Sequence, residues 1–253
     1  MEPTVLTHQR DQASPLSQRD WGEVERSFEQ TPPYHFAVLD NFFTPSALDA
    51  FRKSLLSHWG WGFINWHARE LFIRNFDHPL LHSLIRELKA QLPTVLQGSE
   101  CVANLAFMYI RNEGLHPHSD LAAVTVNTWM TPDEFNLEPD SGGLILHDVK
   151  RTEEMMVHEF NAAPYCVEYF EKNTKGQKVV IPYRCNRTVI FDSRTFHSSD
   201  RVSFRNANTE STRMNFGLSF DDPVRYRERF APYEYKLYKP GGAPRPQVEE
   251  QGA

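Results

Sequence analysis

The chain has 253 residues, is 40% hydrophobic and 24% charged, and carries a formal net charge of −6. This length can bury one sizeable core, and the balance of residue types is that of a globular protein. The negative charge argues against a nucleic acid as the main partner and leaves room only for a local basic pocket.

Residues 1–33 are polar, rich in Gln, Ser and Arg, and end in Thr31-Pro32-Pro33, so they read as an arm leading into the domain. The opening MEPTVLTHQRDQ has no apolar stretch of the kind that marks a secretory leader. YHFAVLDNFF (34–43) reads as a strand. Thr44 is a good N-cap for the helix that follows, with Pro45 at its first position and Leu48, Phe51 and Leu55 along one face. A second helix fits residues 79–92, where Leu80, Leu81, Leu84, Ile85 and Leu88 form an apolar stripe. Two amphipathic helices of this kind need a sheet to pack on.

From residue 103 the pattern changes to short strands: ANLAFMYIR (103–111), AVTVNTW (123–129), GGLILH (142–147), KVVIPY (178–183), RTVIFD (187–192) and RMNFGLSF (213–220). Short strands separated by turn signals predict a β-sandwich or barrel. Residues 148–177 are polar and read as an irregular insertion over one rim. The tail, 223–253, is rich in Pro, Tyr and Arg, and its last part (GGAPRPQVEEQGA) reads as disordered. The expected organisation is therefore a single domain over 34–222 between an arm and a tail. No apolar run approaches the ~18 residues of a membrane span. Cys101, Cys166 and Cys185 are odd in number and widely spaced, which suits reduced thiols in the cytoplasm. A homodimer stays open.

Alternation along RMNFGLSF puts Met214, Phe216, Leu218 and Phe220 on one face, and Arg213, Asn215, Gly217 and Ser219 on the other. In AVTVNTW, Val124 and Val126 alternate with Thr125, Asn127 and Trp129. Each strand thus has an apolar face for packing and a face that can line a polar cavity or meet solvent.

The segment HPHSD (116–120) brings two histidines and an aspartate together. In an extended segment His118 and Asp120 share a side, and so do His116 and His118, so two pairs compete. A third ligand must come from a distance, and His197, just past the strand of RTVIFD, sits at a natural rim position. His118, Asp120 and His197 would make two imidazoles and one carboxylate, the facial triad of non-heme iron oxygenases, which leaves metal positions open for catalysis. His147 ends its strand and reads as a solvated rim residue.

Together, MYIRNEGLHPHSD, NRTVIFDSRTFHSSDRV and TRMNFGLSF resemble the 2-oxoglutarate-dependent Fe(II) dioxygenases, in the prolyl-hydroxylase-like branch. The resemblance covers roughly residues 35–222 and rests on motif order. It implies a mainly β fold, a double-stranded β-helix (jelly roll) backed by the N-terminal helices. It implies that His118, Asp120 and His197 hold Fe(II) and are the catalytic centre, that Arg213 binds the far carboxylate of 2-oxoglutarate, and that Tyr109 reaches the same cosubstrate. Asn127, on the same polar face, joins them as a candidate cofactor-binding residue and, with Trp129 and the insertion 148–177, as a shaper of the substrate pocket, although Trp129 reads more readily as core packing. One departure stands out: Arg213 lies farther from His197 than the family's arginine does from its distal histidine, which makes Arg201 and Arg205 rivals for the anchor.

The activity implied is oxidation, most simply hydroxylation, of a small molecule, with O₂ consumed and 2-oxoglutarate converted to succinate and CO₂. Related halogenases lack the carboxylate that Asp120 supplies. A hydroxylase of an amino-acid side chain in a protein fits the same residues. A cupin-type jelly roll without 2-oxoglutarate would bring a denser histidine set than GGLILHD offers. A zinc hydrolase would need an added general base, and a binding module would need no intact triad.

Overall fold

Two antiparallel sheets face each other and set the positions of everything else. The computed structural model of the chain describes residues 14–65 and 69–237. In chain order the elements are α1 (Trp21–Glu29), β1 (Phe36–Leu39), α2 (Pro45–Leu56), β2 (Gly62–Asn65), β3 (Arg69–Arg74), α3 (Pro79–Gln91), β4 (Glu100–Tyr109), β5 (Val124–Trp129), β6 (Leu144–Lys150), α4 (Val157–Asn161), α5 (Tyr165–Asn173), β7 (Lys178–Ile181), β8 (Thr188–Asp192), β9 (Thr195–Ser199), β10 (Met214–Asp221) and α6 (Pro223–Leu237). Seven strands form a large sheet in the order β1-β8-β5-β10-β4-β3-β2, and three form a small one, β7-β6-β9. A bridge between His118 and His197 adds a short stretch of chain to the free edge of β9. Consecutive strands therefore pass repeatedly between the two sheets, and the fold is the expected double-stranded β-helix.

The alternation in β10 is realised in three dimensions. Met214, Phe216, Leu218 and Phe220 join one core with Val124 and Val126 of β5 and with Phe51, Leu55, Leu81, Leu84 and Leu88 of α2 and α3. The two helices thus back the outer face of the large sheet. Thr44 caps α2 by accepting from the Ala47 N–H at 3.3 Å, and Pro45 occupies its first turn. The side chain of His78 caps α3 by accepting from the Leu80 N–H. A second core fills the space between the sheets and contains Tyr109, Trp129, Leu144, Leu146, Tyr183, Val189 and Phe191.

Several segments differ from the sequence expectation. Residues 14–33 are not an unattached arm: Leu16 is buried and bridges to Phe43, and Trp21, Val24 and Phe28 pack on the first core. Nothing in α1 is fully buried, which is why its composition reads as polar. Residues 148–177 are not irregular but include α4 and α5. Their Phe160 and Cys166 pack with Val149 and Phe196 on the outer face of the small sheet, alongside Tyr226 and Phe230 of α6. Short helices with a narrow apolar stripe are hidden among their charged residues. The first part of the expected tail is α6, while the stretch GGAPRPQVEEQGA lies outside the described residues. No helix among the described residues is long and apolar enough to cross a membrane.

Phe51 is fully buried, with ring centroids 5.0 Å from Phe43 and 5.8 Å from Phe216. Phe51→Ala should lower the unfolding free energy by about 3–5 kcal/mol, read as a shift in the urea midpoint at unchanged slope.

Candidate metal centre

The bridge between His118 and His197 is reciprocal. The His118 N–H donates to the His197 carbonyl at 3.0 Å, and the His197 N–H donates back at 2.7 Å. His197 is therefore not on a rim after a strand. It is the middle residue of its own strand β9, which follows β8 through a tight turn at Ser193 and Arg194. The motif Thr-Phe-His-Ser-Ser hides that strand because its apolar content is low.

The next two residues are held as firmly. The Ser119 N–H donates to the Phe160 carbonyl at 2.8 Å, and Asn161 Nδ2 donates to the Ser119 carbonyl at 2.7 Å, so α4 grips the residue between the two ligands. The Asp120 N–H and Ser119 Oγ both donate to the Ser193 carbonyl, at 3.0 and 2.9 Å. Arg151 Nε reaches the Asp120 carbonyl at 3.3 Å, and its Nη2 reaches the Ala122 carbonyl at 2.8 Å. Sequence reasoning missed Arg151 and Asn161, since neither lies near the motif in the chain.

The side chains converge. One ligating atom each from His118, Asp120 and His197 lie within 4.8 Å of one another, the one group of three found among the described residues. Nε2 of His118 is 3.8 Å from Asp120 Oδ1, and Nε2 of His197 is 3.6 Å from the same oxygen. His118 Nδ1 is 2.7 Å from the His116 carbonyl, and His197 Nδ1 is 3.0 Å from the Thr195 carbonyl. A carbonyl can only accept, so each Nδ1 carries a proton and each Nε2 is the ring nitrogen that faces the other members of the cluster. Burial, then the nearby His197, push His118 down to about 4, which keeps it neutral at pH 7. Asp120 Oδ2 accepts from Thr125 Oγ1 at 2.7 Å, which leaves Oδ1 facing the two imidazoles. This set of two imidazole nitrogens and one carboxylate oxygen fits a divalent ion, with the outer partners in place that orient such ligands. Of the two pairs that compete in the sequence, His118/Asp120 is the one brought together with His197. His116 contributes its carbonyl, which fixes the His118 tautomer.

The candidate cofactor residues form a run on the inner face of the large sheet. Arg213 is 2% exposed and its guanidinium carbon sits 4.1 Å over the Tyr109 ring. Its Nε donates to the Gly142 carbonyl at 2.7 Å, its Nη2 to the Gly143 carbonyl at 3.2 Å, and its Nη1 to Asn215 Oδ1 at 3.4 Å. Asn215 Nδ2 in turn donates to Asn127 Oδ1 at 2.6 Å. Gly143 must be glycine where it passes the end of β7, because a Cβ there would fall 1.9 Å from the Ile181 carbonyl oxygen. Arg201 is at the surface, paired with Glu138 at 2.7 Å, and Arg205 is exposed and lies over the Phe135 ring. Trp129 is fully buried in the inter-sheet core, and its indole Nε1 has no hydrogen-bond partner among the described residues. His147 is not solvated: it is 9% exposed, bonds to Ser198 Oγ at 3.0 Å and packs on Phe170 of α5.

No protein-family model matches the sequence, and no curated protein matches it. Solved structures do match the fold. SnoK, described as a non-heme alpha ketoglutarate dependent carbocyclase from nogalamycin biosynthesis, aligns with a TM-score of 0.59 at 14% identity, over 90% of this chain and 96% of its own. HygX from Streptomyces hygroscopicus, solved with nickel, 2-oxoglutarate and hygromycin B bound, aligns at 0.52 and 14% identity, over 81% and 87%. A prolyl-4-hydroxylase from Pseudomonas putida aligns at 0.52 and 10% identity, over 79% and 98%. The chain thus has the fold seen in 2-oxoglutarate/Fe(II) oxygenase structures.

Thr125→Val removes the hydroxyl that holds Asp120 Oδ2 while conserving shape. It should raise the dissociation constant for Mn(II) about tenfold in calorimetry and, because the buried Ser193 Oγ loses the same hydroxyl at 2.7 Å, lower the melting temperature by about 2–4 °C. His118→Ala and Asp120→Ala should abolish that binding.

Proposed function

We propose that the protein is an Fe(II)- and 2-oxoglutarate-dependent oxygenase that hydroxylates an unactivated C–H of a small molecule. The observation that carries this reading is the pairing of a two-histidine, one-carboxylate cluster with a buried arginine on the inner face of the same barrel. The inter-sheet side of the large sheet around Arg213 has surplus donors: the guanidinium N–H groups beyond its three bonds, and the Trp129 indole N–H. Such a set calls for an acceptor-only group, and a carboxylate of 2-oxoglutarate is one.

In this reading His118, His197 and Asp120 hold the metal, and Thr125 keeps Oδ2 of Asp120 out of the coordination. Arg213 binds the far carboxylate of the cosubstrate through its planar fork. Tyr109 covers one face of that guanidinium, and Asn127 and Asn215 hold its flank. When bound, iron with 2-oxoglutarate and O₂ supplies an oxidant able to remove hydrogen from an unactivated C–H, with succinate and CO₂ released. The chain's own task is to orient the reactants and to exclude water, for which the aromatic inter-sheet core is suited. SnoK and HygX, described with antibiotic chemistry, support a small-molecule substrate, while the prolyl-4-hydroxylase supports the alternative of an amino-acid side chain. The three free thiols are compatible with a cytoplasmic setting.

Anaerobic addition of Fe(II) and then 2-oxoglutarate should produce a visible charge-transfer band, and admission of O₂ should yield succinate. Arg213→Ala should keep Mn(II) affinity and raise the 2-oxoglutarate needed for half-saturation at least about tenfold, the loss of a charge-assisted pair. Arg201→Ala should change neither. No band and no succinate would refute the reading, and an Arg201→Ala effect in place of the Arg213→Ala effect would move the anchor.

A further inference from the structure

A second cavity, of about 280 Å³, opens where residues 122–124, the turn between β8 and β9, the end of β6 and α6 meet. None of the three candidate metal-ligand side chains lines it. Four guanidinium groups do, those of Arg151, Arg194, Arg225 and Arg229, against three carboxylates, Glu153, Asp192 and Asp221. The lining therefore carries one excess positive charge in a chain whose net charge is −6.

The pairing shows where that charge resides. Arg194 binds Asp192 through Nε at 3.0 Å and Nη2 at 2.8 Å, and Lys150 adds a third contact to the same carboxylate at 2.7 Å. Arg225 binds Asp221 through Nε and Nη2, and Arg229 binds Glu153 through Nη1. Arg151 makes no hydrogen bond to a carboxylate among the described residues. Its side chain is 3% exposed, and Nε and Nη2 bond only to neutral carbonyls. Its Nη1 makes a long ion pair with Glu153, at 3.9 Å, and is buried with no hydrogen-bond partner among the described residues. Phe160 and Phe230 lie 5.0 and 5.6 Å from the guanidinium carbon and shield it further from water. A buried cation whose counter-charge stands beyond hydrogen-bond reach is costly, and an anion bonded to Nη1 would offset that cost.

We infer that this cavity is a binding site for a small oxyanion, a phosphate or carboxylate group. Arg151 Nη1 provides the buried charge-assisted bond. Nη1 of Arg194 and of Arg225 lie outside their bonds to the carboxylates and serve the rim, where those side chains are 47% and 51% exposed. Three bound carboxylates hold the rim arginines in place without neutralising the site. The inference is independent of the oxygenase reading, because it uses none of the residues assigned to metal or 2-oxoglutarate.

Isothermal titration of the full chain with inorganic phosphate, and separately with acetate, tests it. The wild type should bind at least one of them, and the tighter of the two gives the ligand class. Arg151→Met should weaken binding at least about tenfold, as expected for loss of a charge-assisted bond. Arg194→Gln should weaken it by a smaller factor. Glu153→Gln removes a negative charge and should tighten binding severalfold. If Arg151→Met does not fold, judged by circular dichroism, the opposite signs for Arg194→Gln and Glu153→Gln carry the test. The inference is overturned by no binding of either anion at tens of millimolar, by wild-type affinity in a folded Arg151→Met, or by both exposed variants moving affinity in the same direction.

Discussion

His118 and His197 exchange two backbone hydrogen bonds, and the geometry of the metal centre follows from that exchange. It puts the two imidazole rings 4.4 Å apart, centroid to centroid, and carries residues 119 and 120 over the turn between β8 and β9. There the Ser193 carbonyl receives both the Asp120 N–H and the Ser119 hydroxyl. Ser119 is also held on both its N–H and its carbonyl by α4. Ordering such a loop costs on the order of 1–2 kcal/mol per residue. The cost is met during folding, by strand pairing and by the packing of α4, so a metal would meet ligands already in position. The rings are set in the same way, because backbone carbonyls fix the tautomer of each histidine and turn both Nε2 atoms inward.

The large sheet separates two environments. Its outer face is closed by α2 and α3 with mainly apolar side chains, and a buried hydroxyl pair there, Thr128 with Thr188, is satisfied internally at 2.6 Å. Its inner face mixes aromatic bulk with a single line of polar groups: Tyr109, Arg213, Asn215 and Asn127. Within that line donors outnumber acceptors, since Arg213 is satisfied in part by the carbonyls of Gly142 and Gly143 and the Trp129 N–H has no partner among the described residues. Arg213, just before β10, is held there by the carbonyls of two glycines. The residue before β6 lies this close to the end of β7 only because position 143 has no Cβ.

Arg151 joins the metal loop to the charged cavity. Two of its nitrogens support the carbonyls of Asp120 and Ala122, and the third has no hydrogen-bond partner among the described residues. The surrounding arginines are hydrogen-bonded to acids, whereas Arg151 has only a long ion pair with Glu153 at 3.9 Å. A chain that is acidic overall thus concentrates positive charge at the junction of β6, the β8–β9 turn and α6.

Much of this was legible in the sequence. Period-two alternation marked the two faces of β10 and β5, the apolar stripes marked α2 and α3, and the motif order around His118, Asp120 and His197 pointed to the jelly roll. These are local properties, because a strand's two faces and a helix's stripe are written in consecutive residues. The sequence reading failed where burial came from distant partners. α4 and α5 looked irregular because only a few of their side chains are covered, and β9 went unseen because Thr-Phe-His-Ser-Ser is extended by pairing with β6 and not by its own composition. Likewise, alternation in HPHSD alone left the His118/Asp120 and His116/His118 pairs in competition, and only the distant His197 and the motif order favoured the first. The sequence by itself determined which residue types were available and which faces they would share. Only the tertiary structure brought His118 and Asp120 together with His197, buried Arg213 and not Arg201 beside Tyr109, and left Arg151 Nη1 without a hydrogen-bond partner among the described residues. Each of these depends on contacts between segments far apart in the chain, which only folding brings together.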